Sequence, residues 1–267
     1  MSHGTTSVIG KVYDGVRPAT VLWTVQAEAG GCALSTPRAP FCPGGCGSSA
    51  ACVDDGVCAP YPASQNVGTV RLTGLATSAG EELVLTSVAN TYQPPAGTTI
   101  SYPGFAEGDE LELRASGGDT GAFRLVARGV GELALRDADT LALAQGAALS
   151  LAWTGATDPA ASAVHVELDI SHHGGSRGMI ECEVADTGAL AIDAALVDRL
   201  LALGVAGFPT IIVTRSSVGH TNAGAGHVDL VVASKLEVPI AIPGLESCTE
   251  DSECTPPATC QPDLTCK

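Results

Sequence analysis

The side chains best suited to chemistry fall in two histidine-bearing segments. Ser171-His172-His173-Gly174-Gly175-Ser176-Arg177 places two adjacent imidazoles at the end of an alternating run. Gly219-His220-Thr221-Asn222-Ala223-Gly224-Ala225-Gly226-His227 places two more around a glycine-rich stretch. Neutral imidazole ligates metals and, near neutral pH, acts as acid or base. Neighbours in a strand point to opposite faces, so His172 and His173 converge only where a turn bends them. The Gly174-Gly175 pair makes a hairpin loop the natural assignment there. His220 and His227 can meet across the neck of a second long loop, and a histidine from the first would complete a three-His metal site. Solvated loop histidines are the competing reading and the favoured one.

Other chemistry has weaker support. Thr214-Arg215-Ser216-Ser217-Val218-Gly219-His220 brings serine near histidine but is no G-x-S-x-G elbow. The glycine runs lack the strand-to-helix context of a phosphate loop. Asp54-Asp55-Gly56 and Thr249-Glu250-Asp251-Ser252-Glu253 do not match an EF-hand loop. Tyr92-Gln93-Pro94-Pro95 and Tyr102-Pro103-Gly104-Phe105 sit between alternating runs, so Tyr92, Tyr102 and Phe105 are candidates for an aromatic platform that binds carbohydrate or peptide. No residue stands out as catalytic. The expectation is a non-enzyme without a cofactor.

The ten cysteines form a framework. Cys32, Cys42, Cys46, Cys52 and Cys58 lie near one end, Cys248, Cys254, Cys260 and Cys266 at the other, and Cys182 stands alone. Structural zinc favours short C-x2-4-C pairs, and only Cys42 and Cys46 are so spaced. Segments this short cannot bury a core, so disulfides are the better reading. In Ile180-Glu181-Cys182-Glu183-Val184 the alternation turns Cys182 inward with Ile180 and Val184. Cys182 also evens out an odd N-terminal set, and Cys32 is its expected partner. Connectivity within the two terminal groups does not follow from spacing.

The elements that must carry these residues are short strands. Thr20-Val21-Leu22-Trp23-Thr24-Val25, Val70 to Thr73, Glu110 to Arg114, Leu149 to Thr154, Val164 to Ser171, Thr210 to Thr214 and His227 to Val232 have strand character, most with alternating polar and apolar residues. Turn signals such as Gly117-Gly118 and Asp158-Pro159 separate them. One helix is predicted, capped by Asp193, running through Ala194 to Leu203 and ending at Gly204. The fold class expected is all-β: an antiparallel β-sandwich, jelly-roll or immunoglobulin-like, with one short helix and disulfide-rich segments at both ends. Residues 1–62 form the N-terminal strands and cysteine-rich segment, 63–243 the sandwich and 244–267 the cysteine-rich tail.

The 267 residues carry a net charge of −16, which disfavours phosphate backbones and anionic lipid heads. Nucleic acid is therefore not an expected partner. No apolar stretch reaches the ~18 residues of a membrane helix. The opening Met1-Ser2-His3-Gly4-Thr5-Thr6 has neither a basic nor an apolar signal region. Disulfide chemistry nevertheless places the chain outside the cytosol, so a removed export signal is expected.

The order of motifs resembles that of uncharacterised secreted and lipoprotein-like proteins of myxobacteria and related bacteria. The resemblance runs over residues 5–243, through Ser150-Leu151-Ala152-Trp153-Thr154 and Cys182-Glu183-Val184-Ala185-Asp186-Thr187-Gly188. The tail is loosely similar to Dickkopf-type cysteine motifs. The resemblance implies an extracellular or cell-surface location and no activity. The expected function is a structural or adhesion protein that self-associates or meets other surface proteins or polysaccharide. A carbohydrate- or peptide-binding module is the first alternative, and a metal-binding protein or hydrolase using His172, His173, His220 and His227 is the second.

Overall fold

A computed structural model describes residues 4–173, 175–224 and 226–267. Met1, Ser2, His3, Gly174 and Ala225, which belong to segments singled out above, lie outside the described residues. In chain order the strands are β1 (Gly10–Tyr13), β2 (Leu22–Ala29), β3 (Cys32–Arg38), β4 (Ala50–Asp54), β5 (Val57–Pro60), β6 (Ser64–Gln65), β7 (Val70–Thr77), β8 (Gly80–Val88) and β9 (Thr91–Gln93). They continue as β10 (Glu110–Ala115), β11 (Phe123–Arg128), β12 (Leu149–Ala152), β13 (Ala163–Asp169), β14 (Met179–Ala185), β15 (Ala189–Ile192), β16 (Thr210–Ala223) and β17 (Gly226–Pro239), with α1 (Ala194–Ala202) between β15 and β16. The fold is mostly antiparallel β with one α-helix, and disulfides close its two ends.

The chain divides into two compact units. The first holds residues up to 20, Pro40–Glu132 and Ser216–Ser234; the second holds Val21–Ala39, Leu133–Arg215 and Lys235–Lys267. Residues 63–243, expected from the sequence as one sandwich, thus contribute to both. The long strands are one reason: β16 and β17 each give residues to both units.

The first unit is built on a seven-stranded sheet ordered β11-β10-β7-β8-β9-β1-β6. Alternation in β7 and β8 turns Val70, Leu72, Leu83 and Leu85 into a core with Tyr92, Leu111 and Val232. The segment 219–227, read from sequence as a long loop, is instead paired strand up to Ala223 and again from Gly226. Its polar residues are compatible with pairing because a strand needs only one apolar face. Gly219 is required here: a Cβ would collide with the Val126 carbonyl of β11. Beside it, Ser217 Oγ accepts from Arg128 N at 3.2 Å.

The second unit is built on a six-stranded sheet ordered β17-β16-β13-β14-β3-β2. Its inner face carries Leu34, Val164, Val166, Leu168, Ile180, Ile211 and Val213, which pack with Leu149 and Leu151 of β12, Leu190 and Ile192 of β15, and α1. Burying each such side chain contributes about 1.5–3 kcal/mol. The helix starts because Asp193 Oδ1 accepts from Ala195 N at 2.8 Å. Its buried side is Leu196, Val197 and Leu200. It stops before Gly204, whose φ of 90° falls in the left-handed region that a side chain disfavours. The Cys32–Cys182 disulfide, between facing residues of β3 and β14, ties the β2–β3 hairpin to this core.

Candidate interaction surface

Strand β2 is one edge of the six-stranded sheet. Residues 21, 23, 25, 27 and 29 are apolar and would share one face in a regular strand. They do not share it. Val25 opposes Ser35 whereas Ala27 opposes Leu34, because the register shifts between them. The extra residue of this β-bulge reverses the alternation. Ala27 and Ala29 therefore pack on the core. Trp23 and Val25 turn to the outer face, where they are 39% and 53% exposed. From Pro18 to Ala27 the segment carries no charge.

The same outer face carries a row of carboxylates. Glu167 of β13 opposes Glu181 of β14, Glu181 opposes Ala33 of β3, and Ala33 opposes Glu28 of β2. In the neighbouring row His165 opposes Glu183, and its Nδ1 lies 2.7 Å from Glu183 Oε1. His165 Nε2 lies 3.8 Å from Glu181 Oε1. Like charges directly opposite across strands are destabilising. Glu28, Glu181, Glu183 and His165 line a cleft of about 690 Å³ floored by Gly30, Gly31 and Ala33. Its edge is acidic, its floor has almost no side chain, and Val25 and Trp23 follow along the same strand.

The buried carboxylate of this unit is treated differently. Asp186 is fully enclosed. Trp153 Nε1 donates to its Oδ1 at 2.8 Å and Ser162 Oγ to its Oδ2 at 2.7 Å. Arg215, also buried, donates from Nη2 to Oδ1 at 3.0 Å, and its Nε lies 2.6 Å from Oδ2. Burial alone would raise the Asp186 pKa, but the hydrogen bonds from Arg215, Ser162 and Trp153, with the Arg215 charge, hold it below the ordinary carboxylate value. This cluster is a structural anchor joining β12, β14 and β16. Asp186 lies within the Cys182-to-Gly188 motif and shares the parity of the inward Ile180, Cys182 and Val184, but its partners Trp153, Ser162 and Arg215 are distant in sequence and do not follow from the alternation.

The terminal cysteines form two small knots of one design. Cys42 bonds Cys52 and Cys46 bonds Cys58; Cys248 bonds Cys260 and Cys254 bonds Cys266. In each, first pairs with third and second with fourth. The last two cysteines face each other across antiparallel pairing. Two residues before the last cysteine, Gly56 and Leu264 both take a left-handed turn, with φ of 73° and 59°. The second knot is seated on its unit: Gly207 N donates to Asp263 O and Ser247 Oγ to Gly207 O, each at 2.7 Å. The residue after the left-handed turn is Thr265 there, 1% exposed, and Val57 in the first knot, 52% exposed.

The histidines singled out in the sequence are divided between the units. His172 and His173 lie in the turn between β13 and β14, with ring centroids 4.0 Å apart. His173 is exposed and adopts a positive φ of 63°. His220 and His227 are exposed on β16 and β17, and His227 Nε2 lies 3.7 Å from Asp229 Oδ2. Among the described residues, the converging groups of three or more His, Cys, Asp or Glu donors are both sulfurs of the disulfide knots.

Of the three aromatic residues expected to form a platform, Tyr92 is withdrawn from the surface. Tyr92 is 2% exposed and belongs to the first unit's core. Its hydroxyl accepts from Val67 N at 2.8 Å, which gives a buried tyrosine its polar partner. Tyr102 is exposed, but Gly4 packs on its ring and its hydroxyl donates to Glu132 Oε1 at 2.8 Å. That bond to a carboxylate raises the Tyr102 pKa. Phe105 packs against the core and lines a cleft of about 570 Å³ with Leu75, Pro103 and Asp109.

No family model matches the chain, and no curated protein does. Among solved structures, it is similar to the crystal structure of chicken CNTN1 FN1–FN3 domains, at 10% identity and a TM-score of 0.21. The similarity covers 84% of this chain and 64% of that one, so the chain spans less than two thirds of its length. A score that low carries no weight for fold or function.

Proposed function

We propose that this is an exported, non-enzymatic protein of the cell surface or extracellular space, structural or adhesive, working by contact with other proteins. The observation that carries this reading is edge strand β2, whose bulge turns Trp23 and Val25 out of the core beside an uncharged stretch of backbone. Unprotected strand edges pair with other chains unless something blunts them. Export is supported by five disulfides and by the absence of free cysteine among the described residues. Among the described residues, no helix is long and apolar enough to cross a membrane.

A photo-crosslinking amino acid at position 23, introduced in the native host, tests the reading. Surface biotinylation of intact cells and a defined crosslinked protein band are expected. Protein confined to the cytosol, or only uncrosslinked monomer, would sink it. A second reading rests on the Phe105 cleft, which could hold a glycan or peptide. A glycan array on which wild type and Phe105→Ala score alike removes that reading.

A further inference from the structure

We infer that β2 and the adjoining acidic cleft receive an extended basic segment of a partner protein, which adds as a strand along Leu22–Val25 and places Lys or Arg in the cleft. This deepens the protein-contact reading above and rests on it. Four observations select this occupant.

The first is the backbone. Leu22 to Val25 pair regularly with Arg38 to Ser35, and the irregularity begins only after Val25. Beyond it Arg199 Nη1 reaches Gln26 O at 3.5 Å, and within the regular stretch Gln26 Nε2 donates to Thr24 O at 3.2 Å, a bond an incoming strand would replace. Regular pairing with an incoming strand is thus concentrated before the bulge. The second is the outward Trp23 and Val25, which match apolar side chains at alternate positions of an added strand.

The third is charge. Glu28 stands just past the bulge on the same face, and the cleft joins it to Glu181 and Glu183. Glu167 faces Glu181 from β13, and His165 is the imidazole among them. An added strand lies about 4.8 Å outside β2, so a Lys or Arg side chain from it spans to Glu28 and over the Gly30-Gly31 floor. The fourth is net charge: a second copy brings another −16 and its own row of carboxylates, which opposes self-pairing on this face. A basic strand brings opposite charge to Glu28 and the near side of the cleft, whereas a copy of this chain brings like charge.

The test uses the full disulfide-bonded chain and a fluorescent ten-residue peptide, alternating Val and Thr for six residues and ending Arg-Gly-Arg-Gly. Controls are a twin with Glu for Arg and a twin N-methylated at alternate Val–Thr amides. Fluorescence anisotropy at low salt is expected to show saturable binding of the Arg peptide. At least tenfold weaker binding is expected for either twin, for Val25→Lys, and for the triple variant Glu28→Gln, Glu181→Gln, Glu183→Gln. Raising the salt should weaken the Arg peptide severalfold. These side chains are largely exposed, and an unchanged Tm confirms folding. Equal binding of the N-methylated twin, or no binding of the Arg peptide, overturns the inference. If sedimentation instead shows a dimer of the chain alone that Val25→Lys abolishes, the occupant is a second copy. That outcome overturns the basic partner and leaves the protein-contact reading standing.

Discussion

Asp186 and Glu181 lie in the same unit and meet opposite treatment. Asp186 is enclosed, and the fold surrounds it with Arg215, Trp153 and Ser162. Glu181 is on the outer face, opposite Glu167 and close to Glu183, with one imidazole between them. Folding requires the first arrangement, because a buried charge without partners is expensive. It does not require the second, since like charges across strands work against the sheet. The inferred basic segment would meet the second arrangement and not the first. The two carboxylates thus separate a charge that the fold pairs from charges that it leaves facing one another.

The largest effects should come from the enclosed side. Asp186→Ala leaves the Arg215 guanidinium buried without its counter-charge, and breaking such a pair typically costs about 3–5 kcal/mol. Chemical denaturation should show that loss. A change below about 1 kcal/mol would mean that water or Thr154 O, which already accepts from Arg215 Nη2 at 2.5 Å, compensates. No variant of Glu28, Glu181 or Glu183 should approach this size.

The two knots extend the comparison to matched pairs. Each C-terminal disulfide closes a sequence separation of 12 residues, and the N-terminal ones close 10 and 12. Loop entropy alone assigns about 3 kcal/mol to each. Seating should decide how that is felt. Cys248→Ser with Cys260→Ser removes a disulfide whose Cys248 end is buried, in the knot that encloses Thr265, and should lower the global unfolding midpoint. Cys42→Ser with Cys52→Ser should loosen only the exposed first knot, seen as faster hydrogen exchange in residues 41–60 with the main transition unmoved. Equal global losses in both variants would erase the distinction.

Acid should act on Asp186 with a defined sign. Its pKa is depressed in the fold and returns to about 3.9 in the unfolded chain. Its contribution is therefore complete above about pH 4 and is lost as the pH falls through the folded value. Asp186→Asn, uncharged throughout, is destabilised at neutral pH, and the gap to wild type should narrow on acidification. Glu112, drawn down to about 2 by hydrogen bonds from Arg124 and Arg114, follows the same sign, so the Asn variant keeps some acid sensitivity. Parallel stability curves for wild type and Asp186→Asn between pH 5 and 2 would refute the assignment.

Much of the frame was readable because it rests on short-range rules. Period-two alternation marks β7, β10 and β13, and Asp193 with Gly204 brackets α1. What escaped depends on partners distant in sequence. The bulge in β2 shows only in the register against β3, since the odd positions from 21 to 29 are all apolar and give no sign of a change of face. The Tyr92-Gln93-Pro94-Pro95 run looks like a loop, yet Tyr92 is strand and buried in a core that also takes Val70, Leu111 and Val232 from distant parts of the chain, with Val67 N donating to its hydroxyl. The tip of β16 reads as loop because its residues are polar, whereas a close approach to β11 at Gly219 accompanies it as strand. The shared connectivity of the knots lies beyond spacing altogether.

The smallest expected effect has the opposite sign. Glu181→Gln removes one of two facing carboxylates but keeps the shape and the neutral hydrogen-bonding groups. Relief of a cross-strand like-charge pair is worth about 0.2–1 kcal/mol, so this variant should be slightly more stable than wild type at low salt. The gain should shrink as salt screens the pair. Glu167→Gln should match it, and the double variant should gain less than the sum, because the first substitution already removes their mutual repulsion. A destabilised Glu181→Gln would show that His165 makes the carboxylate a net support of the sheet. The outer face would then resemble Asp186 rather than oppose it, and the argument for a cationic partner would lose its electrostatic ground.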